Sequence, residues 1–524
     1  MRKLSCSLLG LSLVIAQSAA APVQAAEKLN FKPDLVQPTM TDTALQNAVV
    51  SIDKLAQKQI DDEVVPGLAI AIVYNDKIVL AKGYGVQETG KSEKVDADTV
   101  FQLASISKAV ASTVVAAVVG EKIVTWDAKI SDLDPAFALS DPWVTANLTI
   151  RDLFAHRSGL PSHAGDILED LGYNQAQVLH RLRYQHPDSS FRSAYAYTNF
   201  GLTEGALAAA RAANTPWEVL SEEKLYKPLG MTSTSSRFSD FWARKNKAVG
   251  HMLVDGKWVH KMQRTPDPQS PAGGVSSSAN DMAKWMRLQI AGGKFEGKQI
   301  VDEKALAETH RPHMLTSFSP ISGLPDYYGL GMNVNYDKNG RLLIGHSGGF
   351  ALGAATNVKM IPAETLGICV LTNAAPIGVA EGIAATFTDL ALNTKVSQDW
   401  LSLFRQIFAD PAMLGETVGH YSEPAKSPLP ALAYSVYSGT YENELYGKLK
   451  IAETANGLSI SLGEKVTTAI KHYSHDTFIY KLETENLSGA SALTFAIGAG
   501  GKAESVLVEN LNQSGQGLFT RLQD

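Results

Sequence analysis

The sequence predicts an α+β fold: an antiparallel sheet flanked by helices, with an inserted helical lobe, followed by a small C-terminal all-β barrel. Three observations predict it. Strand-like segments come first and return near residue 340, with many helical segments between them. A stretch with three prolines, SEPAKSPLPALA at 422–433, then reads as a linker. Beyond it, GKLKIAE, GLSISLG, TFIYKLE, SALTFAIG and SVLVEN are short alternating strands separated by turn signals such as Asn456-Gly457. The 524 residues are more than one domain usually holds, and 45% are hydrophobic against 19% charged, so the core is ample. With 47 basic and 53 acidic residues and no basic run, nucleic acid is excluded as a partner.

Each element follows from its own pattern. Arg2 and Lys3, the apolar run Leu4–Ala20 and the small residues Val23 and Ala25 predict a signal peptide over 1–25, cleaved after Ala25. The protein is then expected to be exported, periplasmic or secreted, with no stable membrane span after cleavage; the alternative is that the segment is retained as a membrane anchor. Of the two cysteines, Cys6 goes with the signal, and Cys369 lies in the apolar run LGICVLTN as a buried strand residue. Residues 43–62 read as an amphipathic helix. PGLAIAIVYNDKIVLAKGYGV reads as a hairpin turning at Asn75-Asp76. KAVASTVVAAVVGEK is apolar nearly all round, as a helix in a domain centre would be. Thr149 with Asp152 marks a helix start, and Gly292-Gly293 closes the helix SSANDMAKWMRLQIAGG. RLLIGHSGG, GAATNVKMI and LGICVLTNA read as three strands, with Pro362 in the last turn. These set the expected boundaries: a catalytic domain over 26–421, the linker 422–433 and a β domain over 434–524.

Two serines compete as nucleophile. Gly345-His346-Ser347-Gly348-Gly349 matches G-x-S-x-G, but a nucleophile elbow needs a helix after the serine, and strands follow here. The other candidate is Ser105-Ile106-Ser107-Lys108. On a helix, residues i and i+3 share a face, so Lys108 lies beside Ser105. A lysine pressed against a buried helix loses solvation, its pKa falls, and the neutral amine can take the serine proton. Ser107 has no lysine three residues on. Further along the chain come Tyr197-Thr198-Asn199 and His346-Ser347-Gly348.

In this order the three motifs resemble those of the β-lactamase-related serine hydrolases, the group of class C β-lactamases, DD-peptidases, D-aminopeptidases and related esterases. The resemblance covers roughly residues 45–400 and extends to VPGLAIAIV, TVFQLASISK, TIRDLFAHRSGLP, KPLGMTST and SPAGGVSSSANDMAKW. The C-terminal domain resembles the lipocalin-like domain appended to some members. The resemblance implies a serine β-lactamase/DD-peptidase-like domain with its site between the sheet and the helical lobe. Ser105 would form an acyl-enzyme, with Lys108 sharing the work of general base. Tyr197 would be a second proton handler, since a phenol beside a lysine cation can lose its proton well below the usual pKa of about 10. Asn199 would bond Lys108 and the substrate amide. The N–H groups of Ser105 and Gly349 would form the oxyanion hole. Ser347 would be a strand residue facing the cleft and serving Ser105.

One residue departs from the pattern. The triplet usually begins with lysine, which helps hold a substrate carboxylate, and here it is His346. A histidine with a pKa of about 6.5 is only partly charged near neutrality, so carboxylate capture should be weak and pH-dependent. That disfavours β-lactams and free peptide C-termini and leaves room for amides, esters and peptides bound otherwise. No cofactor or metal is expected: the twelve histidines are scattered, and His156 and His163 read as framework residues. The expected function is a peptidase or amidohydrolase acting on a small molecule or short peptide. Its rivals are a carboxylesterase or β-lactamase of the same family and, from another class, a penicillin-recognising or scaffolding protein that acylates poorly. The joint presence of Ser105, Lys108 and Tyr197 argues against the last.

Overall fold

The structure is a computed structural model that describes residues 40–319, 321–409, 421, 425 and 427–523. The expected signal segment 1–25, with Cys6, and part of the expected linker lie outside the described residues.

The chain opens with helix α1 (Asp42–Asp61), capped by the Thr41 side chain, which accepts from the Ala44 N–H. Strands β1 (Gly67–Tyr74) and β2 (Lys77–Gly85) form a hairpin whose turn residues, Asn75 and Asp76, both take positive φ. This is the turn that matches the twist of antiparallel strands. The helical lobe holds α2 (Ile106–Gly120), α3 (Ile150–Phe154), α4 (Asp166–Asp170) and α5 (Asn199–Ala212). Thr149 and Asp152 close a complete capping box at the start of α3. Helix α6 (Ala279–Ile290) leads back to the sheet and ends at Gly292 and Gly293, both at positive φ.

The return strands are β3 (Met314–Phe318), β4 (Pro325–Tyr328), β5 (Asn333–Tyr336), β6 (Leu342–Phe350), β7 (Ala354–Ile361) and β8 (Leu366–Thr372), followed by α7 (Val379–Asn393). They join the hairpin in one eight-stranded antiparallel sheet, ordered β2-β1-β8-β7-β6-β5-β4-β3. Its N-terminal hairpin and its last strand therefore pair, β1 against β8 one strand in from the β2 edge, and the helical lobe is an insertion, as the sequence order predicts.

Both faces of the sheet are covered, which explains why β1 is an unbroken apolar run. Leu68, Ile70 and Ile72 pack towards α1 and α7. Ala69, Ala71 and Val73 face the layer of α6 and α2, where the small alanine side chains let α6 approach. Cys369 on β8 is fully buried in that second layer, as expected of a strand residue.

The C-terminal strands are β9 (Gly439–Asn443), β10 (Gly447–Thr454), β11 (Gly457–Leu462), β12 (Val466–Ser474), β13 (Thr477–Glu483), β14 (Ser488–Ile497), β15 (Ala503–Val508) and β16 (Leu518–Arg521). Each pairs with its neighbour, and β9 pairs with β16, so they close into an eight-stranded barrel without edges. Alternate residues such as Leu458, Ile460 and Leu462 point inward and are buried. The barrel rests on the helical lobe: Tyr173 donates to the Tyr446 carbonyl at 3.0 Å, and Arg181 donates to the carbonyls of Glu444 and Leu445.

Candidate active site

The site begins at a strained turn. Ala104 is fully buried and has φ 49°, a conformation that costs a non-glycine residue free energy and persists only where its surroundings impose it. Those surroundings are identifiable. Leu103 N–H donates to the Val275 carbonyl, and Thr356 on β7 donates its hydroxyl to the Leu103 carbonyl at 2.7 Å. The turn delivers Ser105 to the N-terminus of α2, where its side chain caps nothing and remains half-buried. Ser107, two residues on, is buried and accepts from the Val275 N–H, which makes it part of the scaffold.

Lys108 lies one turn along α2, fully buried. Its Nζ is 3.0 Å from Ser105 Oγ, 2.6 Å from Asn199 Oδ1 and 2.9 Å from the Ala272 carbonyl. Burial pushes its pKa down to about 7, against a smaller opposing pull from the Asp166 carboxylate. The amine therefore spends much of its time neutral near pH 7. Two of its protons then suit the two carbonyl oxygens, and its lone pair faces the serine hydroxyl.

Tyr197 comes from the segment that leads into α5. Its hydroxyl lies 2.8 Å from Ser105 Oγ, and Lys108 Nζ sits 4.6 Å from its ring centroid. Its charge state differs from the sequence expectation. Burial raises the phenol well above its ordinary pKa, and the hydrogen bond to Ser105 offsets little of that. In the free site Tyr197 is a neutral phenol that donates to Ser105, not a phenolate.

His346 also differs. It sits on β6 with its ring 6.2 Å from that of Tyr197 and is buried. Burial, helped by the Lys108 charge, lowers its pKa to about 3. Its Nδ1 contacts the Ser347 carbonyl, which can only accept, so Nδ1 carries the proton. Nε2 is then the acceptor for the Tyr328 hydroxyl at 2.8 Å. Both ring nitrogens are occupied and the ring is neutral. The sequence predicts a partly charged ring with weak, pH-dependent carboxylate capture; the ring is instead neutral, because a sequence shows neither its burial nor the tyrosine 18 residues earlier.

Ser347 is the third correction. Side chains alternate along a strand, and His346 and Gly348 are the residues that face Ser105. A Cβ at Gly348 would lie 2.4 Å from the Leu103 carbonyl and 2.8 Å from the Ser105 nitrogen, which places β6 directly against the turn that carries Ser105. Ser347 points the other way, accepting from Asn357 Nδ2 at 2.9 Å and bonding Glu381 on α7. Its hydroxyl does not face the cleft. Gly349 follows at the exposed end of the strand, beside Pro376.

Several residues that sequence reasoning missed converge here. Tyr328 and the Ala272 carbonyl are two, although Ala272 lies within the quoted segment SPAGG. His163 and Asp166 are two more: His163, read as framework, is 2.8 Å from Asp166 Oδ2, and its ring lies 5.6 Å from that of Tyr197. Their spacing of three residues was the available signal. The barrel reaches the site as well. In its β13–β14 loop, Glu485 accepts from the N–H groups of Ala351 and Leu352, just past β6. Thr484 and Asn486 bond Asp170 on α4 at 2.7 Å. One loop of the second domain thus ties the two walls of the cleft together.

The fold and this site define a protein of the serine β-lactamase and penicillin-binding type, and comparison with known proteins agrees. The family model Beta-lactamase matches residues 52–393, and the chain belongs to that family. A separate model, a domain of unknown function (DUF3471), matches residues 423–521. Similar proteins include the unguisins hydrolase ungD of Aspergillus violaceofuscus, 24% identical over 75% of each chain. Beta-lactamase-like protein 2 of Dictyostelium discoideum is 24% identical over 82% of this chain and 77% of its own. Penicillin-binding protein 4 of Amycolatopsis lactamdurans is 25% identical over 72% of this chain and 94% of its own. Among solved structures, the octameric penicillin-binding protein homologue from Pyrococcus abyssi has the same fold, with a TM-score of 0.60 at 18% identity, over 88% of this chain and 98% of its own.

Proposed function

We propose that the protein is an exported serine hydrolase, a peptidase or amidohydrolase that acylates Ser105 and acts on short peptides or amides carrying no carboxylate beside His346. The observation that carries this reading is the position of Ser105 Oγ, 3.0 Å from the Lys108 amine and 2.8 Å from the Tyr197 hydroxyl. Export rests on the basic start and apolar run of residues 1–25.

In acylation, neutral Lys108 takes the Ser105 proton as Oγ attacks the substrate carbonyl. The developing oxyanion accepts from the N–H groups of Ser105 and Gly349, donors of a kind that lower the barrier by about 3 kcal/mol each. Tyr197 gives its proton to the leaving nitrogen. This leaves a phenolate beside the lysinium, a pairing that the 4.6 Å approach of Nζ to the ring centroid favours. In deacylation the phenolate takes a proton from the attacking water, and Lys108 returns its proton to Ser105 Oγ as the acyl group leaves. Protons balance over the cycle.

The neutral Tyr328–His346 pair supports the substrate class. Where the family pattern that the motifs resemble usually has lysine, this cleft offers an imidazole with both nitrogens engaged. The test is intact-mass and peptide mapping with a fluorophosphonate, together with turnover of p-nitroanilides with blocked and free carboxylates. One adduct is expected, on Ser105, lost in Ser105→Ala, with the blocked substrates turned over faster. Label on Ser347 would refute the mechanism, and a strong preference for free carboxylates would refute the substrate class.

A further inference from the structure

Asn199 sits between two groups with opposite demands. Its Oδ1 faces Lys108 Nζ at 2.6 Å, and its Nδ2 faces Asp166 Oδ2 at 2.7 Å. The two ends of an amide have nearly the same shape, so packing alone does not choose between orientations. The Asp166 carboxylate chooses, because it can only accept. A flipped amide would set oxygen against oxygen at Asp166, and NH2 against the protons of the Lys108 amine. The orientation of Asn199 in turn decides where the Lys108 lone pair points. With two protons committed to Asn199 and Ala272, the lone pair is left facing Ser105.

Asp166 is itself buried. Its second oxygen, Oδ1, has no partner, so its charge is only partly neutralised by hydrogen bonds. The groups facing Lys108 are Tyr197, His156, His163, His346 and Asp166. Burial keeps His156 and His346 uncharged and Tyr197 protonated, so Asp166 is the one negative charge in this set. The groups facing Asp166 are Lys108, His163, Tyr197 and Glu169. His163 lies against the carboxylate with its side chain 61% exposed, open to protons from solvent. The backbone of Asp166 is held from two sides: its N–H donates to the His163 carbonyl, and its carbonyl accepts from Asn486 Nδ2 of the barrel.

We propose that Asp166 is a positioning residue for the reaction: through the Asn199 amide it orients the Lys108 amine towards Ser105, its buried charge sets how firmly that amine holds its proton, and His163 moderates this charge. The inference rests on the reading of Lys108 as the base for Ser105. Its signs are opposite for the two groups. Removing the Asp166 charge weakens the hold of Lys108 on its proton. Removing His163 leaves that charge uncompensated and strengthens the hold, because partial desolvation of the His163 ring lowers its pKa less than the hydrogen bond and charge of Asp166 raise it.

The test measures the rate of fluorophosphonate labelling at Ser105, and kcat/KM, against pH in the full-length chain and in Asp166→Asn, Asp166→Ala and His163→Gln. Asp166→Asn keeps an acceptor for Asn199 Nδ2 and loses the charge, so the acid limb should move to lower pH by about one unit. His163→Gln should move it to higher pH. Asp166→Ala loses the acceptor too, and at alkaline pH should fall about tenfold or more below Asp166→Asn, the cost of a misdirected amine. Limbs of Asp166→Asn and His163→Gln that coincide with wild type, or that move the other way, overturn the proposal. If the Asp166 variants fail to fold, His163→Gln decides alone, its upward shift sustaining the inference and an unmoved limb overturning it. Wild-type label at a residue other than Ser105 brings down the site reading and this inference together. Label at Ser105 with unmoved limbs brings down the inference only.

Discussion

The close approach of β6 to the Ser105 turn can be tested by adding one methyl group. In Gly348→Ala the new Cβ would lie 2.4 Å from the Leu103 carbonyl, 2.5 Å from Thr356 Oγ1 and 2.8 Å from the Ser105 nitrogen. Two of these atoms are backbone and cannot rotate away. Restoring ordinary contact, 3.4 Å or more, requires β6 to draw back from the turn by about 1 Å. Two costs follow. Overpacking of this kind destabilises by about 1–3 kcal/mol. If the Gly349 N–H is the oxyanion donor proposed above, displacing it by about 1 Å can cost on the order of a hundredfold in rate. The expected outcome is a folded protein with kcat/KM down about a hundredfold, and slow fluorophosphonate labelling still at Ser105. Gly349→Ala is the control. Its Cβ would lie 2.8 Å from the Pro376 ring, which must yield, but the nearest backbone atom is 3.9 Å away and the N–H is retained, so the loss should be smaller. A folded Gly348→Ala with wild-type kcat/KM would show that β6 need not lie against Ser105 and would remove Gly349 from the oxyanion hole.

The remaining expectations are simpler. Tyr197→Phe keeps the ring that packs 4.6 Å from His156, so the fold should hold while kcat/KM falls at least about a hundredfold; an unchanged rate would mean that Lys108 handles every proton. Ser347→Ala should label and turn over like wild type, because its hydroxyl faces α7, and a large loss of turnover would place that hydroxyl in the cleft. For a carboxylate-free substrate His346 should add no pH dependence to KM above pH 5, since burial lowers its pKa to about 3; a rise through neutrality that vanishes in His346→Asn would show that the imidazole is charged there. The same depression has a stability consequence. A histidine whose pKa falls from 6.5 to about 3 on folding contributes stability that is complete above about 6.5 and is lost as pH falls towards 3. His346→Asn should therefore lose less thermal stability than wild type between pH 6.5 and 4, and equal losses would refute it.

What depends on neighbours in the chain is legible along it. Helical spacing brought Lys108 to Ser105, and the two residues at Asn75-Asp76 specified a hairpin. Strand alternation already required His346 and Ser347 to face opposite sides. Which of the two faces the cleft was decided only by the tertiary structure, because that depends on which side of β6 receives the Ser105 turn. The charge state of His346 was decided there too. It follows from burial and from Tyr328, brought over by a strand two places away in the sheet. The roles of Asp166 and of the barrel loop at Glu485 have the same origin: the carboxylate of Asp166 matters through Asn199, 33 residues on, and Glu485 reaches back 134 residues to cap Ala351. Periodicity and capping act over a few residues and can be read along the chain. Desolvation and long-range hydrogen bonds exist only once distant segments have closed the cleft, and they set the protonation state of each group in it.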